Sequence, residues 1–348
     1  MFQIETTDTI YETEFYHIQT NITSRCNMRC EHCRGAYVGT TDLAVDDFKN
    51  LLDFVHQHVG MRGGYLITGG EPLLHPQFKK ILSELKGYVR ADQFVAISTN
   101  GTFLNAEFLD FIQNLEFPEL RISISLDSID SRRHNLFRHS PVAYEGSIRA
   151  IKLIAEKPQI KRIVRTTIQK DQLEEIEPMA EMVESMGVDI LSISSIIPAG
   201  RAKDKPELWF DKASKKNLIE LVAVLRKKHR HLIVDVNDPL FYIGASFTNN
   251  CGEYGGCIAG IGTFSLEPNG DMLPCPVLHN QIIMNIRGMK PEEILRGYSS
   301  NHFVHTLLER NLKGKCGSCK LRFACGGCRA RAEGVYDDYL AEDPDCWL

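Results

Sequence analysis

The chain has 348 residues, of which 43% are hydrophobic and 24% are charged, and its formal net charge is −5. This length suffices for one large α/β domain with a smaller appendage, and the acidic balance argues against a surface that coats nucleic acid. No apolar run approaches the roughly 18 residues of a membrane span, and the N-terminus has no secretory pattern. We therefore expect a cytoplasmic protein with no nucleic-acid or membrane partner.

Short apolar runs alternate with amphipathic segments from about residue 15 to residue 195. The predicted strands are Phe15–Asn21, Tyr65–Thr68, Phe94–Thr99, Arg121–Leu126, Arg162–Ile168 and Ile190–Ser194. The predicted helices are Asp46–Val59, Gln77–Tyr88, Asn105–Leu115, Tyr144–Glu156, Leu173–Met186 and, after a break, Lys212–Lys228. This alternation predicts an α/β fold with a parallel sheet covered by helices. Six such units are enough for a partial (β/α)6 barrel of the TIM type, with functional residues at the C-terminal ends of the strands.

Glycine-rich loops that carry cysteines replace this alternation beyond about residue 232. We therefore expect a core domain over residues 1–234 and a cysteine-rich domain over residues 235–348.

The eleven cysteines are unusual for a cytosolic protein, because disulfides are disfavoured in that compartment. Three lie at positions 26, 30 and 33, and the remainder are Cys251, Cys257, Cys275, Cys316, Cys319, Cys325, Cys328 and Cys346. An odd total that divides into one group of three and two groups of four predicts metal clusters rather than a disulfide framework. Zinc is the alternative for the two C-x2-C pairs, but only five residues separate these pairs, against roughly 15–20 in a zinc ribbon.

Cys26, Cys30 and Cys33 have the spacing C-x3-C-x2-C directly after the first predicted barrel strand. Three thiolates on one loop can hold three irons of a cubane cluster and leave the fourth iron open, whereas an electron-transfer cluster takes four cysteines. The alternatives are a zinc knuckle or three incidental thiols. The spacing and its setting resemble the radical S-adenosylmethionine (SAM) superfamily, in which SAM binds the open iron and is cleaved to methionine and a 5′-deoxyadenosyl radical. The resemblance extends from about residue 15 to residue 346.

Gly69, Gly70, Glu71 and Pro72 follow the second predicted barrel strand. Glycine lets the backbone approach a ligand closely, and proline prevents the strand from continuing. The run resembles the superfamily motif that binds the SAM amino group, although by itself it could be a turn. We interpret Glu71 as mainly structural, and we expect an added Cβ at either glycine to weaken SAM binding while iron content stays near normal.

Polar residues also follow the next two predicted strands, namely Thr99, Asn100, Ser125 and Asp127. The resemblance implies that these residues contact the ribose and carboxylate of SAM. It also implies that Arg138 pairs with the SAM carboxylate, because a guanidinium can donate two parallel hydrogen bonds to a carboxylate. The alternatives are a turn or helix cap for Asp127 and a solvated helix face for Arg138. We expect His32 to pack near the adenine and not to bind metal.

The second cysteine field resembles the SPASM extension of radical SAM enzymes, which carries two auxiliary 4Fe–4S clusters. The family usually has three residues between the last two cysteines of the compact group, whereas here only Gly326 and Gly327 separate Cys325 from Cys328. By resemblance to the anaerobic sulfatase-maturing members, one cluster takes Cys251, Cys257, Cys275 and Cys328, and the other takes Cys316, Cys319, Cys325 and Cys346. The implied cofactors are thus three 4Fe–4S clusters and SAM.

The resemblance implies an oxidoreductase that abstracts a hydrogen atom and then removes an electron from the substrate radical. Enzymes with this extension most often modify peptides or proteins, so we expect a peptide or protein substrate, held by the barrel or presented by a separate leader-binding carrier. The alternatives are modification of a tetrapyrrole side chain, as in alternative haem and haem d1 synthesis, and a non-catalytic zinc-binding scaffold. The sequence names no catalytic base.

We expect flavodoxin or ferredoxin to donate the electron for SAM cleavage. Basic residues surround the last cysteine group, namely Lys313, Lys315, Lys320, Arg322, Arg329 and Arg331. They form either a solvated face or a docking site for such an acidic donor or an acidic leader peptide.

Overall fold

The structure is a computed structural model that describes residues 2–6, 9–35, 39–244 and 256–348, except for the side chains of residues 242 and 244. The strands are β1 Phe2–Glu5, β2 Ile10–Thr13, β3 Phe15–Asn21, β4 Met61–Thr68, β5 Phe94–Thr99, β6 Glu119–Ser125, β7 Ile160–Ile168, β8 Ile190–Ser195, β9 Ile233–Val236, β10 Thr263–Leu266, β11 Asp271–Leu273 and β12 Met284–Asn285. The helices are α1 Val45–His58, α2 Phe78–Lys86, α3 Ala106–Gln113, α4 Ser131–Arg138, α5 Ala143–Ala155, α6 Ile176–Ser185, α7 Lys212–Lys228, α8 Phe241–Gly244, α9 Pro291–Ser299, α10 His302–Glu309, α11 Gly314–Ser318 and α12 Arg329–Tyr336.

Ten strands form one sheet in the order β12-β11-β10-β3-β4-β5-β6-β7-β8-β9. All neighbours from β10 through β3 to β9 are parallel, and β11 and β12 add antiparallel strands at one edge. The α/β partial barrel predicted from the sequence is confirmed, with β3 to β8 at the six predicted strand positions. Strands β10 to β12 extend the barrel sheet from the cysteine-rich part of the chain, and the division at residue 235 stays a prediction.

The two faces of the barrel sheet differ in polarity because successive side chains of a strand point to opposite faces. Ile97, Ile124, Val164 and Ile193 are fully buried on the outer face, where they pack under the helices. Burial of each such side chain contributes about 1.5–3 kcal/mol to the free energy of unfolding. The alternate residues of the same strands are largely polar, so the inner face of the barrel offers hydrogen-bonding groups to a ligand.

Side-chain caps fix the starts of three helices. Asn105 accepts a hydrogen bond from the Phe108 backbone before α3, and Asp211 does the same for Ser214 before α7. Asp130 accepts hydrogen bonds from two backbone N–H groups at the start of α4, each of which would otherwise lack a partner. Within the described residues, no helix is both long enough and apolar enough to cross a membrane.

Candidate active site

The loop that carries Cys26, Cys30 and Cys33 follows β3 and is held from two sides. On one side, the Gly70 N–H donates to the Thr23 carbonyl and the Glu71 N–H donates to the Arg25 carbonyl, both at 2.7 Å. On the other side, the Glu31 N–H donates to the Phe137 carbonyl at 2.9 Å, next to the end of α4. The three thiols therefore sit at the C-terminal end of the barrel between two fixed segments.

These thiols are half-buried and close to one another. Burial, together with the negative charges of Glu71, Cys30 and Cys33, raises the pKa of Cys26 to about 12. Burial likewise raises the pKa of Cys30. Three thiolates in such a place need a compensating cation, and the iron atoms of a cluster supply one, so the donor set fits a 4Fe–4S cluster with one open iron.

No group of three or more His, Cys, Asp or Glu side chains among the described residues has the arrangement of a metal-ion site. A cubane cluster is larger than an ion, and each of its irons takes its own thiolate. The sulfur atoms that hold it therefore need not converge on one point.

The two glycines before Glu71 allow the backbone to approach the cysteine loop. Gly69 has a φ of 154°, and an ideal Cβ on it would lie 2.7 Å from the Thr23 carbonyl oxygen. An ideal Cβ on Gly70 would lie 2.3 Å from the Arg25 carbonyl oxygen and 3.0 Å from Cβ of Cys26. The close approach predicted from the sequence exists, but the neighbour that demands it is the cysteine loop itself.

Glu71 is fully buried and joins this loop to the end of β5. Its carboxylate accepts hydrogen bonds from the Thr99 hydroxyl at 2.6 Å, the Asn100 N–H at 2.8 Å and the Leu73 N–H at 3.2 Å. Burial raises the pKa of Glu71 to about 7, although these hydrogen bonds oppose the shift. All three of these donors are protein groups, which agrees with a structural role, and Pro72 starts the short 3-10 helix Pro72–Leu74.

Asn100 links the end of β5 to the cysteine loop. Its amide donates to the Asn27 Oδ1 at 2.8 Å, and the Asn27 amide donates to the Thr102 hydroxyl at 3.0 Å. Ser125, at the end of β6, is half-buried on the inner face, and its hydroxyl makes no hydrogen bond within the described part of the chain. Ser125 is therefore available to a ligand, whereas Thr99 and Asn100 already have partners.

Asp127 and Arg138 form a buried ion pair. The Arg138 Nε donates to Oδ2 of Asp127 at 2.7 Å, and Oδ1 of Asp127 accepts from the Thr167 N–H at 2.9 Å. Burial alone would raise the pKa of Asp127, but the charge of Arg138 holds it at about 2. Arg138 is thus 5% exposed rather than part of a solvated face, and its two Nη atoms make no hydrogen bond within the described residues.

Arg165 is a functional candidate that the sequence reasoning missed. It stands opposite Ser125 in the register of β6 and β7, on the inner face of the barrel. Its side chain makes no hydrogen bond or ion pair within residues that the structure describes, although its backbone carbonyl accepts from the Leu126 N–H at 2.9 Å. Burial and the charge of Arg34 lower its pKa to about 10, which still leaves it cationic at neutral pH.

Two histidines of the interior are neutral at neutral pH. Burial and the charge of Arg165 lower the pKa of His17, on β3, to about 4. Burial does the same for His32, whose ring stacks on that of Phe137 with centroids 4.6 Å apart. Arg165 could have been noticed from the sequence as a charge inside an apolar strand, but its orientation requires the fold.

The cysteines after residue 250 fall into two groups, while Cys251 lies outside the described residues. Cys257, Cys275 and Cys328 share one apolar cluster, and burial followed by the charge of Cys257 raises the pKa of Cys275 to about 11. The pKa of Cys346 is raised by burial and also by the charges of Cys316 and Cys319.

Cys325 belongs to this second group, because it shares an apolar cluster with Cys346. The structure thus brings together the same two sets of cysteines that the family resemblance implies, apart from Cys251. Their ligation stays a prediction.

The basic residues near these cysteines do not form one surface. Arg329 and Arg331 are only 0% and 1% exposed, so the expectation that all six line a solvated or docking face is wrong for these two. Arg331 donates to Asp238 at 2.6 Å and to Asp343 at 2.7 Å, and Asp238 also accepts from Lys215 at 2.7 Å. This buried network connects the start of α12 to α7 of the barrel.

Comparison with known proteins found one matching family model and several similar proteins. The family model described as the radical SAM superfamily matches residues 20–183. An AdoMet-dependent heme synthase of Methanosarcina barkeri is 30% identical over 94% of this chain and 95% of its own length. The antilisterial bacteriocin subtilosin biosynthesis protein AlbA of Bacillus subtilis is 26% identical over 90% of this chain and 66% of its own. Among solved structures, Streptococcus suis SuiB bound to precursor peptide SuiA has a similar fold, with a TM-score of 0.79, 19% identity, and coverage of 97% of this chain and 76% of that one.

Proposed function

The chain belongs to the radical SAM superfamily, and we propose that Cys26, Cys30 and Cys33 hold its 4Fe–4S cluster while the other eight cysteines hold two auxiliary clusters. When bound, the first cluster supplies an open iron for SAM and the electron that cleaves SAM to a 5′-deoxyadenosyl radical. The support is the half-buried triad on one loop and the separate grouping of the later cysteines.

The protein groups around the triad take different parts in holding SAM. Glu71 and Asp127 are positioning residues, because their oxygens are already occupied by protein donors. The Ser125 hydroxyl and the Arg138 Nη atoms remain available, and we assign them to the SAM ribose and carboxylate. The backbone of Gly69 and Gly70 would bind the SAM amino group, and Pro72 fixes the chain direction after these glycines.

For the substrate we propose a propionate side chain of a tetrapyrrole. The observation that carries this is Arg165, a cation on the inner barrel face whose side chain makes no hydrogen bond or ion pair within the described residues. A guanidinium on the inner face of a barrel is stabilised when it pairs with a carboxylate. The relative with the highest identity reported above is named a heme synthase and matches nearly its whole length.

The proposed reaction converts the propionate to a vinyl group. A hydrogen atom would be removed from the side chain by the radical that SAM supplies, the carboxylate carbon would leave as carbon dioxide, and the remaining electron would pass to one of the proposed auxiliary 4Fe–4S clusters. The chain's own part is to hold the carboxylate against Arg165 and to keep water out of the barrel interior, where His17 and His32 are neutral.

The test is anaerobic incubation of the iron-loaded enzyme with SAM, a reductant and Fe-coproporphyrin III. We expect a product that has lost carbon dioxide and two hydrogen atoms, detected by mass spectrometry. Arg165→Met decides which carboxylate the guanidinium binds. Weaker porphyrin binding with normal SAM cleavage assigns Arg165 to the substrate, whereas lost SAM binding with normal porphyrin binding assigns it to SAM. No change in either would remove Arg165 from the site.

A peptide or protein side chain, as expected from the sequence, is the second candidate. It is favoured by the 26% identity to AlbA, which is named for the biosynthesis of a bacteriocin. Incubation with peptides encoded beside this gene, followed by a search for a loss of two hydrogen atoms, separates the two candidates. That flavodoxin or ferredoxin donates the electron stays a prediction. The basic residues near the last cysteines that could still bind such a donor are Lys313, Lys315, Lys320 and Arg322.

A further inference from the structure

The short link between Cys325 and Cys328 makes room for two arginines. Gly326 and Gly327 have φ values of 66° and 59°, in the left-handed region that favours glycine. An ideal Cβ on Gly326 would lie 2.6 Å from Nη1 of Arg310, and one on Gly327 would lie 2.7 Å from Nη2 of Arg329. The departure from the family's usual spacing therefore coincides with the seating of two guanidinium groups beside the cysteines.

Arg329 lies directly against one of these sulfurs. Its Nη2 donates to Sγ of Cys316 at 3.7 Å, and an ideal Cβ on Gly327 would also come within 3.2 Å of that sulfur. Its Nη1 donates to the carbonyls of Tyr339 and Ala341 at 2.9 and 2.6 Å, which fixes the group in place. Within the described residues this is the single hydrogen bond from a guanidinium to sulfur.

No carboxylate of the described residues lies within ion-pair distance of Arg329. This arginine is nevertheless completely buried. Arg331, two residues further along α12, differs because Asp238 and Asp343 both pair with it. Arg310 is also buried, but it donates to the Cys257 carbonyl rather than to a sulfur. Among these three arginines, Arg329 is the one that donates a hydrogen bond to a cysteine sulfur.

We propose that Arg329 raises the reduction potential of the cluster held by Cys316, Cys319, Cys325 and Cys346. This rests on the proposed function, which assigns an auxiliary cluster to these cysteines. A cluster gains one negative charge when it accepts one electron, and a fixed cation in a poorly solvated place favours that reduced form. A hydrogen bond to a ligating sulfur acts in the same direction. The arginine thus makes this cluster a better electron acceptor than its four thiolates alone would.

The experiment is redox potentiometry of the iron-loaded enzyme, monitored by electron paramagnetic resonance. Arg329→Gln removes the charge, and we expect the midpoint potential of one auxiliary cluster to become more negative while that of the SAM-binding cluster stays unchanged. The matched control is Arg322→Gln. That side chain lies in the same segment and reaches only the Gly317 carbonyl and the face of Phe323, and it is partly solvated. We expect it to move no midpoint.

Arg329→Lys is the second variant. It keeps the charge but loses the planar fork that reaches sulfur and carbonyls together, so we expect a smaller shift in the same direction. An unchanged or less negative midpoint in whichever variant keeps its iron overturns the proposal. A wild-type protein that binds only about four irons would instead refute the cluster count of the proposed function, and the iron assay makes that failure distinguishable.

Discussion

Gly70→Ala tests whether the glycine pair serves the cysteine loop. The new Cβ would lie 2.3 Å from the Arg25 carbonyl oxygen, whereas relaxed non-bonded contacts are about 3.5 Å. The loop must therefore retreat by roughly 1 Å. Overpacking of this kind costs about 1–3 kcal/mol, and the adjacent hydrogen bond from Glu71 to Arg25 contributes about 0.5–1.5 kcal/mol more if it breaks. Because the loop carries Cys26, we expect the SAM-binding cluster to assemble poorly.

The assay combines iron content with reductive SAM cleavage after anaerobic reconstitution. We expect Gly70→Ala to lose up to about four of twelve irons and to produce little 5′-deoxyadenosine, while the auxiliary clusters remain. Gly87→Ala is the control, because that residue has a helical φ of −67° and its nearest neighbour would be 3.7 Å away. Full iron with weaker SAM binding would favour the ligand-approach interpretation instead. Full iron with normal SAM cleavage would refute both.

Three further perturbations follow from the described contacts. Glu71→Ala removes the acceptor of two backbone N–H groups at the site, so we expect a loss of about 1–3 kcal/mol in the free energy of unfolding. Asp238→Ala removes the carboxylate nearest to the buried Lys215 and one of the carboxylates paired with the buried Arg331, which Asp343 and Asp345 still contact, and we expect a loss of about 1–3 kcal/mol; thermal unfolding of the loaded protein measures both. We expect Cys328→Ala and Cys275→Ala to alter the same paramagnetic species, and Cys346→Ala to alter a different one.

Exposed acidic residues provide the controls for the two stability predictions. Glu107 pairs with Lys79 and Glu220 pairs with Lys216 on the surface, and we expect their alanine variants to change stability by less than about 1 kcal/mol. Equal stability of the buried and exposed variants would contradict the assigned contacts. A Cys328→Ala spectrum that matches that of Cys346→Ala would contradict the two ligand sets.

The barrel strands were predictable because each is a short segment rich in β-branched or aromatic residues, bounded by turn residues and alternating with an amphipathic helix. The other strands lack that signal. Strands β1 and β9 have four residues each, and β10 is equally short, so their patterns do not stand out from loops. Helix α4 was missed because its sequence, SRRHNLFR, is mostly polar. It forms because Asp130 caps it and because its last residue is buried against Asp127.

The site was predictable in its residues but not in their contacts. Local sequence identifies Gly70 as a position of close approach, but only the fold supplies the Arg25 carbonyl as the neighbour. The burial of Arg331 depends on Asp238, which is 93 residues away in the chain. In the sequence, both Arg329 and Arg331 therefore resemble surface residues. Charges of this kind need partners that no local pattern names.

The most direct test of the three-cluster assignment is the iron and sulfide content of the anaerobically reconstituted protein, measured together with SAM cleavage. We expect about twelve irons and twelve sulfides per chain, and production of 5′-deoxyadenosine on reduction. Replacement of Cys26, Cys30 and Cys33 by alanine should remove about four of each and abolish that production. Stoichiometric zinc with little iron in the anaerobically isolated protein would contradict the assignment of 4Fe–4S clusters to these cysteines.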